Sequence, residues 1–243
     1  FSARRTYDVD IDLSNDNENT IDFSMQKIMR LLKEVKPSKA AGPDGIHGMV
    51  LKHCAVGLAC PLSILFQVSY NMGVIPKEWK EACVVPVHKK GSKSNVENYR
   101  PISLTCLIMK IQEKVVRDHI MEKYQHNILP NQHGFLPAKS CATQMLAFNE
   151  QLAFNIHNKF QTDVIYFDFA KAFDSVHHDT LLHKLKNEYG IDGRLLIFLT
   201  NYLKDRDQCV VIDGCKSDKR SVTSEHLEFH KVPFWDPCYS YYL

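Results

Sequence analysis

The sequence predicts an α+β chain, rich in helix and sparing in strand. Three observations carry this. Six stretches place apolar residues at helical spacing, over about 21–35, 48–72, 104–115, 142–157, 179–189 and 191–203. Only three short runs, ACVVPV (82–87), VIYFDF (164–169) and QCVVI (208–212), have the β-branched and aromatic density of strands. The 243 residues are 44% hydrophobic and 24% charged, ordinary globular usage, so a sizeable core can form.

Residues 1–20 are polar and acidic (Asp8, Asp10, Asp12, Asp16, Glu18) and predict a poorly ordered segment. In the first helix Phe23, Ile28, Leu31, Leu32 and Val35 share a face. It should stop at Lys36–Pro37, because a residue before proline avoids the helical region. PSKAAGPDG (37–45) is a turn-rich loop. The 48–72 helix should bend at Pro61. It carries no formal charge from Cys54 to Pro76, but Pro61, Gln67 and Asn71 interrupt it. A buried helix is therefore expected rather than a span, and no membrane partner.

Pro86 argues that the 82–87 strand lies at a sheet edge. His88 to Asn98 is a polar, basic loop. Leu104, Leu107, Ile108, Ile111 and Val115 then mark a long amphipathic helix. Gln208 to Ile212, with a partner after Gly214, reads as a hairpin.

Lys and Arg total 30 and Asp and Glu 28, a formal charge of +2. This excludes a polycationic arm and leaves local basic patches as the route to nucleic acid. The eight cysteines form no C-x-x-C pair and the histidines show no zinc-type spacing. The reading is a reduced, intracellular chain, in cytoplasm or nucleus. With Phe1 in place of Met, the expectation is a fragment or an incomplete gene model.

Two segments carry chemistry. In DVIYFDFAKAFD (163–174) a strand would put Val164, Tyr166 and Asp168 on one face. A carboxylate ending so apolar a run needs a cation or strong donors, so Asp168 is either a divalent-metal ligand or a cap of the following turn. In VHKKGSK (87–93) followed by NYRPISL (98–104), cations on a loop precede an Arg at a fixed point. They could neutralise a triphosphate, or simply be solvated.

The motifs KPSKAAGPDGI, GVIPKEWKEACVVPVHKKG, NYRPISL, LPNQHGF and YFDFAKAFDSVHHDTLLHKL, in this order, closely resemble the reverse transcriptase of non-LTR (LINE-type, jockey-like) retrotransposons from about Met25 to Ser224. The resemblance implies a right-hand polymerase, represented by fingers and an incomplete palm over 21–224, with no thumb. It implies Asp168 as the first catalytic, metal-binding carboxylate and Phe169 as a carbonyl donor to metal. Phe173 becomes the bulky residue that excludes a 2′-hydroxyl, and Lys89 and Arg100 the grip on the incoming triphosphate. Two Mg²⁺ ions, an RNA template, a DNA primer and dNTP follow as cofactor and partners. In GFLPAKS (134–140) Leu136 stands where the family has Arg and Ala138 where it has Gly. Lys139 keeps a template-facing charge without Arg's planar fork.

The family's second acidic cluster is Tyr/Phe-x-Asp-Asp, and no Asp-Asp pair occurs here. Permitted codons for Leu227 to Tyr242, read from two bases later, encode Gly-Val-Pro-Gln-Gly-Ser-Val-Leu-Gly-Pro-Leu-Leu-Phe-Leu-Leu, the family's next motif. A one-frame slip between about Ser221 and Leu227 is expected, which makes 225–243 a tail without a selected fold. The reading is a retrotransposon polymerase domain, truncated and inactive as this chain. The alternatives are a non-catalytic nucleic-acid-binding remnant or a functionless relic.

Overall fold

The computed structural model describes residues 20–169 and 176–222. The sequence-based readings of residues 1–19, of Phe173 and of the 225–243 tail lie outside them. Seven α-helices and a mixed five-stranded sheet make up the described fold, in agreement with an α+β, helix-rich chain.

Helix α1 (Met25–Glu34) ends ahead of Lys36–Pro37, with Val35 already extended at ψ 128°. Its buried Ile28, Leu31 and Leu32 pack towards α3. The expected interruption at Pro61 falls instead at Cys54, between α2 (Gly48–His53) and α3 (Ala55–Met72). The helix runs on through Pro61 because that proline and Gly57, whose carbonyl loses its N–H partner, are both exposed, so water can take the vacant carbonyl. By length and composition α3 alone among the described helices could cross a membrane. One face sits in the core through Ala55, Ala59, Leu62, Phe66, Ser69 and Tyr70, while Val56, Ile64 and Met72 are exposed. The expected buried helix is therefore buried on one side only.

Around Phe66 the core is aromatic. Its ring lies 6.2 Å from Phe23 and 5.8 Å from Trp79, the latter edge-on, and Tyr70 lies 5.7 Å from Phe198. Helix α4 (Leu107–Tyr124) and helix α7 (Gly193–Leu203), preceded by α6 (His178–Asn187), close this core. Helix α4 starts later than the periodicity from Leu104 suggests, because Tyr99–Thr105 forms strand β2, which sequence reasoning missed.

Strand β2 pairs antiparallel with β1 (Glu81–His88), and β1 pairs parallel with β3 (Arg206–Ile212). β3 also carries β4 (Cys215–Lys216) and β5 (Arg220–Val222), antiparallel. The hairpin turn between β3 and β4 passes through Asp213 and Gly214, both at positive φ as such a two-residue turn requires. The edge position expected for β1 is corrected: it lies between β2 and β3. Pro86 is tolerated because β3 pairs only with residues 81–84, so beyond Val84 that side of β1 asks for no donor. Pro86 faces Pro101 directly, a non-hydrogen-bonded position at which neither missing N–H matters.

The expected strand at Val164–Phe169 is also corrected. These residues are described, belong to no strand and are exposed, Phe167 by 87%. An apolar run becomes a strand only where a ladder partner is available, and none of the described strands pairs with this one. Helix α5 (Cys141–His157) forms where expected but buries none of its side chains.

Candidate nucleotide-binding hairpin

The β1–β2 hairpin positions the basic motif. Opposite pairs run from Ala82–Thr105 to His88–Tyr99, and Lys89 extends the ladder by donating its N–H to the Asn98 carbonyl at 2.8 Å. Side chains alternate faces along each strand. Val87, Lys89 and Arg100 therefore project from one face, and His88 and Tyr99 from the other, where their rings meet edge-on at 5.3 Å. The structure thus brings Lys89 and Arg100, both exposed, together on one face. Diagonal neighbours on such a face are about 7–8 Å apart, within reach of the phosphates of one nucleotide for long side chains.

Lys139 lies apart from this pair, in the loop before α5. Its ammonium donates to the carbonyls of Pro130 and Gln132, at 2.9 Å for the latter, so it ties its own loop together. Ser140 caps α5 by accepting from the Thr143 N–H, and the Thr143 hydroxyl accepts from the Ser140 N–H at 2.8 Å. Ala138 sits at φ +60°, the left-handed region that favours glycine.

Asp168 and Phe169 are exposed in the unpaired segment. Among the described residues no three His, Cys, Asp or Glu side chains gather into a metal site. Waters and substrate phosphates can complete the octahedron of one Mg²⁺ on a single carboxylate, but a two-ion site needs further carboxylates beside Asp168, and the described residues gather none there. The described residues do not fit the two-ion site, and no chemical step through metal follows from them.

Sequence reasoning missed two buried arrangements. The Cys106 thiol donates to Asp44 Oδ2 at 2.8 Å, and burial, helped by that carboxylate, pushes it up to about 12. This bond fastens the 37–45 loop to the start of α4. Tyr202 of α7 donates to Glu113 Oε1 of α4 at 2.8 Å, with the Arg206 guanidinium 5.0 Å over the Tyr202 ring. Burial raises the Glu113 carboxyl above its usual value despite Arg206, the Tyr202 hydroxyl, Lys110 and Lys39. A lone Glu among Ile111, Val115 and Val116 was the available signal.

The basic hairpin belongs to a mixed sheet beside a helical core, and comparison with known families identifies the class of protein. The family model described as "Reverse transcriptase (RNA-dependent DNA polymerase)" matches residues 87–233, more than half of the chain, and the chain belongs to that family. Among curated relatives, the probable RNA-directed DNA polymerase from transposon BS of Drosophila melanogaster is 27% identical over 190 residues, 75% of this chain and 20% of that protein. The RNA-directed DNA polymerase from mobile element jockey of the same fly is 25% identical over 204 residues, 83% of this chain and 22% of that protein. The Pol polyprotein from type-1 retrotransposable element R2 of Popillia japonica is 22% identical over 200 residues, 82% of this chain and 27% of that protein. The chain thus spans about a fifth to a quarter of these relatives. It resembles the RNA-directed DNA polymerase domain of non-LTR retrotransposons.

Proposed function

We propose that this chain is the fingers and the first part of the palm of an intracellular retrotransposon polymerase, and that its β1–β2 hairpin grips the triphosphate of an incoming dNTP through Lys89 and Arg100. The carrying observation is the placement of these two cations on one face of a hairpin whose ladder extends to Lys89. Cations on a fixed scaffold offset the charge of a polyphosphate at little ordering cost.

The other roles rest on the resemblance. Phe173 would exclude the 2′-hydroxyl, Lys139 would face the template, and Asp168 with the Phe169 carbonyl would begin a Mg²⁺ site. In the complete polymerase the reaction would be template-directed addition of dNTP to a DNA primer on RNA. With no Asp-Asp pair in its sequence, the chain alone would bind nucleotide without copying. Residues 21–224 would be the domain, and 225–243 the out-of-frame tail.

Titration with dATP and with dAMP tests the grip. The triphosphate should bind more tightly, and Lys89→Ala or Arg100→Ala should each weaken it about tenfold without altering dAMP binding. Equal binding of both nucleotides would refute it. Primer extension with Mg²⁺ tests the second half: incorporation that Asp168→Ala abolishes would show the chain to be an active polymerase.

A further inference from the structure

The loop joining β1 to β2 runs from Lys89 to Asn98, and its tip is Gly91-Ser92-Lys93. Three consecutive backbone carbonyls at this tip are each held by a side chain from the ends of the hairpin. His88 Nε2 lies 3.1 Å from the Gly91 carbonyl, Asn98 Nδ2 donates to that of Ser92 at 2.9 Å, and the Tyr99 hydroxyl donates to that of Lys93 at 2.9 Å. Asn95 adds a turn beneath, its side chain accepting from the Glu97 N–H at 3.0 Å. Gly91 closes the arrangement. Its φ is +86°, and a Cβ there would stand 2.7 Å from Asn98 Nδ2.

A loop rich in Lys, Gly and Ser has no apolar surface to hold it, and left free it would sample many conformations. Here two of the three side chains, those of His88 and Tyr99, order the tip from the face opposite the cations, while Asn98, opposite Lys89 in the ladder, lies on the cations' own face. His88 and Tyr99 project away from Lys89 and Arg100, so the Tyr99 hydroxyl acts on the loop backbone from behind.

We infer that Tyr99, with His88 and Asn98, is a positioning residue of the triphosphate grip: by fixing the Gly91, Ser92 and Lys93 carbonyls it keeps the loop ordered and Lys89 on the same face as Arg100 before nucleotide arrives. This rests on the reading of Lys89 and Arg100 as the triphosphate grip. A pre-ordered clamp binds more tightly because less freedom is lost on binding. Tyr99→Phe deletes one hydroxyl on a half-buried ring and leaves the His88–Tyr99 packing in place, so it isolates the latch.

The test measures dATP and dAMP affinity of the full chain, together with hydrogen exchange of the amides between 89 and 98. Tyr99→Phe is expected to weaken dATP binding about three- to tenfold, the worth of one hydrogen bond. It should leave dAMP binding unchanged and speed exchange across the loop. In a Lys89→Ala, Arg100→Ala background the same change should have no further effect, since there is no grip left to position. Unaltered dATP affinity in Tyr99→Phe, with the cation variants weakened, overturns the latch and leaves the grip standing. Indifference of dATP binding to Lys89 and Arg100 overturns both. Asn98→Ala extends the series, and if it lowers the melting temperature, Tyr99→Phe decides.

Discussion

Glu113 is a buried carboxyl group, and one of its oxygens, Oε2, has no hydrogen-bond partner. Burial holds its folded pKa above the ordinary 4.5. The native state therefore keeps a proton that the unfolded chain has released, and stability falls as pH rises through that interval. Relative to Glu113→Gln, the wild type should be at its best below about pH 4.5 and lose ground as pH rises through the folded value. Paired urea melts from pH 4 to 8 check this, and a wild-type stability that rises relative to the variant as pH increases would contradict it. Ala138 offers a second residue-scale case. The resemblance places Gly where this chain has Ala, and φ +60° costs an L-residue about 1–2 kcal/mol. Ala138→Gly should recover about 0.5–1 kcal/mol of that in a thermal melt, less than the full strain because glycine also loosens the unfolded chain.

At the scale of elements, one close backbone approach is made by the loop over residues 37–45. A Cβ on Gly42 would lie 2.6 Å from the Thr105 carbonyl group and 2.7 Å from the Cys106 N, where β2 turns into α4. Backbone on both sides leaves nothing soft to give way. Gly42→Ala should destabilise the fold by about 1–3 kcal/mol and break the Asp44–Cys106 bond beside it. Iodoacetamide labelling reports the second effect: Cys106, buried and protonated in the wild type, should become reactive in the variant. Element positions were largely legible. Helices α1, α5, α6 and α7 fall within a few residues of their periodic stretches, because amphipathic spacing is a local property. Strand β2 was not legible, since Arg100 and Pro101 hide a ladder that only β1 reveals.

At the scale of the whole molecule, order is unevenly distributed. Helices α3, α4 and α7 share the aromatic core, while α5 and residues 160–169 bury almost nothing. Hydrogen exchange should show α4 opening only with global unfolding and α5 exchanging far sooner, held by its Ser140–Thr143 cap and local bonds. Protection of α5 equal to that of α4 would mean that it packs. The sequence by itself determined the family, the helical stretches and which side chains are cationic, because these follow from residue types and spacings within one segment. Only the tertiary structure decided that Pro86 meets Pro101, that Lys89 and Arg100 share a face, that Lys139 holds its own loop, and that Asp168 stands outside the sheet. Each of those depends on register or on a hydrogen-bond partner supplied by another segment, and pairing between segments is settled by the folded chain as a whole.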